Sequence, residues 1–75
     1  MKIGKFTVTL ASLPDRERLV AEIAYENVQW AEISQEKDIP LIQFYPHPRK
    51  KYWEFPLSET ISILEKAKKE LLGEV

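Results

Sequence analysis

Hydrophobic and polar residues alternate along much of the first half of the chain. The alternation over residues 3–11 and 18–25 has the period of two that is typical of strands with one buried face. Residues 28–35 continue the extended pattern. The β-branched and aromatic content of residues 40–45 favours a further strand. The pattern therefore predicts strands in all four segments.

Short polar segments separate these predicted strands. Glu26-Asn27 suits a two-residue turn because Asn tolerates a positive φ, and residues 36–38 form a second polar turn. Pro14 breaks the first alternation, which predicts a connection containing one helical turn from Pro14 to Arg18. Three consecutive strands with such short turns predict an antiparallel meander.

After Pro56 the hydrophobic spacing changes from two to three and four residues. This spacing predicts an amphipathic helix over about residues 58–72, with Ser58 as N-cap and Gly73 as the C-terminal stop. The apolar stripe comprises Leu57, Ile61, Leu64, Ala67 and Leu71. Residues 52–55 could re-enter the sheet as a short edge strand.

The predicted fold is a single small α+β domain over residues 1–75. It has a three- to five-stranded antiparallel meander with one C-terminal helix packed on one face. The expected core residues are Phe6, Val8, Ile23, Ile33, Ile42, Phe44, Ile61, Leu64 and Leu71.

One helix cannot cover both faces of such a sheet. Adjacent residues of a strand face opposite sides of the sheet. If the expected core residues of the third and fourth predicted strands point toward the helix, four hydrophobic residues of these strands face away from it. These are Val28, Trp30, Leu41 and Tyr45. We expect this second face to bind a partner or a second copy of the chain, or to be covered by residues 46–57.

Composition narrows the function classes. The chain is 44% hydrophobic and 31% charged, with a net charge of −1, so no global field attracts nucleic acid or anionic lipid. It has no cysteine, which excludes disulfides and thiolate metal sites. No stretch approaches the roughly 20 apolar residues that span a bilayer. We expect a cytoplasmic protein.

Residues that carry chemistry are scarce. There is no cysteine nucleophile, and the two glycines cannot build a phosphate-binding loop. His47 is the sole histidine, and the carboxylates follow no known metal-ligand spacing. The sequence thus predicts neither a catalytic site nor a metal, cofactor or small-molecule ligand. One exception is open, since Glu22 and Glu32 could meet across a hairpin and act as an acid–base pair.

The densest cluster of unusual residues lies between Phe44 and Phe55, where aromatic, basic and proline residues alternate. Trp, Tyr and Arg are enriched at interface hot spots, so this segment favours protein recognition. The aromatic and basic partner-binding candidates are Trp30, Tyr45, His47, Arg49, Lys50, Lys51, Tyr52 and Trp53. Acidic residues that would set the charge pattern for a basic partner are Glu22, Glu32 and Glu36.

The hairpin followed by the helix LSETISILEKAKKELL, within residues 18–72, loosely resembles the partially degraded RNase-H-like domain of HicB-type antitoxins. Where that family has a glycine-rich, proline-containing stretch, this chain has Pro46-His47-Pro48-Arg49-Lys50-Lys51. The chain also resembles small bacterial immunity proteins, compact α+β domains that block a toxin with a charged and aromatic surface. The resemblance implies a partner protein and no catalysis.

These observations predict a non-enzymatic protein-interaction module, in the form of a toxin-neutralising or other regulatory protein that acts by surface occlusion. The first alternative is a nucleic-acid-binding module that uses the basic aromatic loop 47–53. The second is a small enzyme that uses Glu22 and Glu32, or His47.

Overall fold

A five-stranded antiparallel sheet and one helix form the structure, a computed structural model that describes residues 1–73. The strands are β1 (Lys2–Ile3), β2 (Phe6–Ala11), β3 (Val20–Tyr25), β4 (Val28–Ser34) and β5 (Leu41–Phe44), followed by α1 (Leu57–Leu72). Each strand pairs with its neighbour in the chain, in the order β1-β2-β3-β4-β5. The predicted α+β meander with one C-terminal helix is confirmed. The last two residues of the predicted domain, 74 and 75, lie outside the described residues.

Positive φ angles close two of the hairpins. Glu26 and Asn27 have φ angles of 51° and 67°, which match a two-residue turn between right-twisted strands, as predicted. Gly4 has a φ of 57° and reverses the chain between β1 and β2. The single strand predicted over residues 3–11 is therefore two strands joined at Gly4-Lys5. In the next connection, the Arg16 N–H donates to the Leu13 carbonyl at 3.1 Å, which makes a β-turn where a helical turn was expected.

Helix α1 begins one residue earlier than predicted. Its N-cap is Pro56 in an extended conformation, not Ser58, and no side chain caps it. The C-terminal stop is as predicted, because Gly73 adopts the left-handed conformation with a φ of 69° and its N–H donates to the Lys69 carbonyl. Residues 52–55 form no strand.

The helix covers only part of one sheet face. It packs against β1, β2 and β3 through Ile63, Ala67 and Leu71. Ile61, an expected core residue, is 50% exposed. Ile42 and Phe44 on β5 are also exposed, contrary to expectation, because α1 does not extend over this strand. Sequence periodicity identified the helix but placed its buried stripe too far to one side.

A β-bulge explains the position of Trp30. The register between β3 and β4 shifts at Ile23 and Ala24, so an extra β4 residue opposes β3. Trp30 and Ala31 consequently both lie in the core on the helix side. Trp30 is 7% exposed, and its ring packs against Phe6 and Phe55 at centroid distances of 5.5 and 4.9 Å. The expectation that Trp30 faces away from the helix is wrong.

The second sheet face has a polar row at its centre, where an apolar surface was expected. Across four strands, the register aligns one row of side chains on it, formed by Thr9, Glu22, Glu32 and Gln43. Val28 pairs with Tyr25 and so shares the helix side, while Leu41 remains on the second face. Residues 12–19 are tied to the far end of β4 and to Gln43. The uncovered apolar surface therefore lies elsewhere, beside the helix over β5.

Candidate partner-binding surface

A structured basic loop, residues 47–53, follows β5. The Nδ1 atom of His47 accepts hydrogen bonds from the backbone N–H groups of Arg49 and Lys50, each at 3.0 Å. The histidine side chain thus closes a turn on its own backbone, as Asx residues do in other turns. Only an unprotonated Nδ1 can accept these bonds, so the turn requires a neutral His47.

Trp53 fastens the basic loop to the sheet and the core. Its Nε1–H donates to the Tyr45 carbonyl at 2.9 Å, and its ring lies 4.5 Å from the His47 ring. On the other side the Trp53 ring contacts Phe55 at 5.4 Å. Phe55 belongs to an aromatic cluster with Phe6, Tyr25 and Trp30. The loop is held at both ends by contacts that lead into the buried core.

The fixed turn leaves the charged side chains in solvent. Arg49, Lys50, Lys51 and Tyr52 are all exposed, Tyr52 by 70%. Within residues 1–73, none of the three cations forms an ion pair. They are therefore available to a partner without first breaking an internal contact.

An open cleft of about 770 Å³ separates the basic loop from the β3–β4 turn. Aromatic and basic side chains line it together with two carboxylates, those of Glu26 and Glu54. Glu26 also pairs with Lys5 at 3.7 Å. The cleft is consequently of mixed charge, with cations concentrated on the loop side. Its lining residues are Tyr25, Glu26, Val28, His47, Arg49, Lys50, Lys51, Tyr52, Trp53 and Glu54.

The environment of His47 favours the neutral ring that the turn requires. Desolvation lowers the pKa of His47 below its usual 6.5, and the positive charges of Arg49 and Lys50 lower that pKa further. The loop geometry and the electrostatics of the loop therefore agree.

Glu22 and Glu32 face each other across β3 and β4, as predicted. Glu32 is only 3% exposed, and its carboxylate accepts hydrogen bonds from Arg16 Nη2 at 3.0 Å and from the Tyr45 hydroxyl at 3.2 Å. Burial raises the pKa of Tyr45, and the adjacent negative charge of Glu32 adds to the increase. Arg16 Nη2 also donates to Gln43 at 2.8 Å. These contacts are those of a buried, paired carboxylate.

Glu36 is hydrogen-bonded to backbone groups of the β2–β3 connection. Its carboxylate accepts hydrogen bonds from the N–H groups of Glu17 and Arg18, both at 2.9 Å. The bond from Glu17 is the largest cause that lowers the pKa of Glu36, and the Arg18 N–H and nearby arginine charges contribute. Glu22 is half-buried and contacts Gln29 at 3.5 Å. All three acidic candidates thus accept hydrogen bonds from other residues of this chain, and Glu32 alone of the three is buried.

The structure brings six of the eleven candidate residues together in the basic loop, with Tyr45 at its base and Trp30 in the core beneath it. The six are His47, Arg49, Lys50, Lys51, Tyr52 and Trp53. Glu22 and Glu32 lie on the polar sheet face and Glu36 beyond the end of β4. Arg16 also contributes to the polar face, but it has no local signal in the sequence because its partners, Glu32 and Gln43, lie on strands far along the chain.

Residues 1–73 contain no cluster of three or more histidine, aspartate or glutamate side chains placed to hold a metal ion. Over the same residues, no helix combines the length and apolar character needed to cross a membrane. None of the family models, curated proteins or solved structures compared with this chain matches it.

Proposed function

We propose that this chain is a small non-enzymatic protein-interaction module whose recognition element is the basic loop 47–53. The observation that carries the proposal is a group of exposed cations that form no ion pair within residues 1–73, on a loop that His47 and Trp53 hold in one conformation. A prearranged loop loses little conformational entropy on binding, which favours affinity.

The chemistry of the cleft supports a protein partner. Arg49, Lys50 and Lys51 suit carboxylates on that partner, while Tyr52 and the partly buried Trp53 offer aromatic contact area. Glu26 and Glu54 line the same cleft and give it a mixed charge, which suits the separate charged groups of a protein surface better than a continuous row of phosphates. The partner surface that fits best therefore carries acidic groups around an apolar or hydrogen-bonding side chain.

Binding of this kind acts by occlusion, since the loop covers whatever surface it engages. A toxin-neutralising protein of the immunity or antitoxin kind is one concrete form, and another small regulatory protein is a second.

Nucleic acid is the second candidate partner. Tyr52 is 70% exposed beside three exposed cations, and an exposed ring next to cations can stack on an unpaired base. Because the net charge is −1, binding of nucleic acid would depend on local contacts with the basic loop.

A charge-reversal experiment tests the proposal. The unmodified chain should capture a partner protein from an extract of its own organism. The variant Arg49→Glu/Lys50→Glu/Lys51→Glu should bind that protein with an affinity at least about tenfold lower. The control Lys37→Glu/Lys66→Glu/Lys69→Glu makes the same change in net charge on exposed residues away from the cleft and should retain that protein.

Three results separate the candidates. Loss of the protein by the loop variant alone supports the proposal. Equal capture by both variants contradicts a role for the loop. Salt-sensitive binding of RNA or DNA by the unmodified chain, lost in the loop variant, would instead assign the loop to nucleic acid.

A further inference from the structure

The last strand leaves one edge of the sheet open. β5 is four residues long, lies at the end of the strand order, and is exposed along its whole length. Its sequence, Leu41-Ile42-Gln43-Phe44, contains no charge and no proline. Natural sheets usually protect edges with charges, prolines or very short strands, and the opposite edge, β1, has two residues and a lysine. The two edges of this sheet are thus unequal.

The direction of the free backbone groups follows from one hydrogen bond. The Tyr45 N–H donates to the Trp30 carbonyl on β4 at 2.8 Å. Because N–H and C=O groups alternate in direction along an antiparallel strand, Gln43 and Leu41 also face β4. Ile42 and Phe44 then direct their backbone groups outward, where residues 1–73 supply no partner strand.

The same two residues carry exposed apolar side chains. Ile42 is 40% and Phe44 59% exposed on the helix side of the sheet. Helix α1 also carries exposed apolar side chains. Glu59 lies over Gly4 beside β1, and Leu57 and Ile61, each about 200° around the helix from Glu59, lie on the flank away from β1. Leu57 is 74% exposed.

The total surface is large for a compact monomer. The chain exposes 5453 Å², whereas a monomer of 8.8 kDa exposes about 4,800 Å². The difference is several hundred Å², which approaches the roughly 800 Å² that each partner buries in a standard interface.

We propose that two copies of this chain pair through β5, antiparallel and about a two-fold axis at Gln43. In this register Ile42 faces Phe44 of the second copy, and each such pair exchanges two backbone hydrogen bonds. With the axis at Ile42, Phe44 would pair with Pro40 of the second copy. With the axis at Phe44, Ile42 would pair with Pro46 of the second copy. Prolines lack the N–H donor, so the register at Gln43 alone uses every outward group.

Pairing in this register makes a continuous ten-stranded sheet with both helices on the same side. The Ile42 and Phe44 side chains of the two copies meet in one apolar cluster between the helices, while the two Gln43 side chains lie on the polar face. An isologous contact of this kind closes at two copies, because each copy has one open β5 edge.

Light scattering with size-exclusion chromatography tests the assembly. The unmodified chain should have twice its monomer mass of 8.8 kDa, while Ile42→Lys and Phe44→Glu should each be monomeric. An equimolar mixture of the two variants should dimerise again, because the lysine introduced in one chain then faces the glutamate introduced in the other. The control Leu19→Lys, at a residue that is 46% exposed outside β5, should remain dimeric.

Each alternative outcome has a definite meaning. A monomeric unmodified chain at concentrations up to roughly 1 mM overturns the proposal. Single variants that stay dimeric overturn β5 as the interface, and a mixture that stays monomeric overturns the register. Amide exchange provides a check without substitution, since the Ile42 and Phe44 N–H groups should become protected as concentration rises. The basic-loop charge reversal should leave the dimer intact, which keeps this test separate from that of the proposed function.

Discussion

His47 shows how one side chain can fix a recognition loop. Its Nδ1 accepts hydrogen bonds from the Arg49 and Lys50 N–H groups. These bonds fix the backbone of both residues, and their charged side chains extend into solvent. The ring packs on Trp53, which removes part of its hydration. Both the hydrogen bonds and the desolvation favour the uncharged imidazole.

The basic loop should therefore loosen in acid. Folding lowers the pKa of His47 below 6.5, so the open loop binds the proton more tightly than the closed loop. The stabilisation is complete above about pH 6.5 and is lost as the pH falls through the lower pKa of the folded loop. Amide exchange at Arg49 and Lys50, followed by NMR from about pH 7.5 to 5 and compared with the intrinsic rate at each pH, should show weaker protection on acidification, although the intrinsic rate itself falls.

His47→Asn is the matched control, because its side-chain oxygen can accept the same two N–H groups without titrating in this range. It should keep both amides protected at either end of the range. Protection in the unmodified chain that does not change with pH would show that His47 does not control the loop.

Residue patterns in the sequence recover part of this surface. The clustering of cations and rings between residues 47 and 53 is visible in the sequence because neighbours in the chain remain neighbours in the loop. The burial of Glu32 is not visible, since it depends on Arg16 and Tyr45 arriving from separate segments. An acidic residue in an alternating strand looks solvated until its partners are known.

At the scale of elements, the helix is defined by its sequence but its rotation is set by packing. The spacing of apolar residues supports a helix with either Ile61 or Ile63 inward, because the hydrophobic residues cover more than one stripe. Glu59 lies over Gly4, which has no side chain to obstruct it. With the helix in this rotation, the Ile63 side chain lies in the core between the helix and the sheet.

Alanine substitutions should distinguish the two rotations. Ile63 is fully buried, so Ile63→Ala should lower the free energy of unfolding by about 3 kcal/mol. Ile61→Ala removes a half-exposed side chain and should cost less than about 1 kcal/mol. Urea denaturation followed by circular dichroism measures both. The reverse order of the two effects would mean that the helix is rotated toward the stripe that the sequence suggested.

The β-bulge at Trp30 is the other element that the sequence does not reveal. Strict alternation puts Trp30 opposite to Ala31, and one extra residue in β4 brings both to the helix side. In contrast, Glu26-Asn27 was predictable because the requirement for positive φ is local. Local backbone requirements are visible in the sequence, whereas a change of face depends on packing across strands.

At the scale of the whole molecule, the core is displaced to one side of the sheet. The buried apolar cluster draws its members from β2, β3, β4 and α1, and none from β5. Helix α1 likewise packs on β1, β2 and β3. β5 is thus held by one ladder to β4, by the Phe44 contact with Trp30, and by the polar contacts of Gln43 and Tyr45 on the second face.

This asymmetry predicts a gradient of local stability. A strand that contributes no fully buried side chain can open without exposing the core, so its amides exchange through a small fluctuation and not through global unfolding. In dilute solution, the Gln43 and Tyr45 amides, which face β4, should exchange at least about tenfold faster than the slowest amides of β3. Hydrogen exchange by NMR measures both sets in one sample. Equal rates would show that β5 opens only with the whole domain. A rate for β5 that slows as the chain is concentrated would show that its open edge gains a second copy, since a β5 paired on both sides has to break two ladders to open.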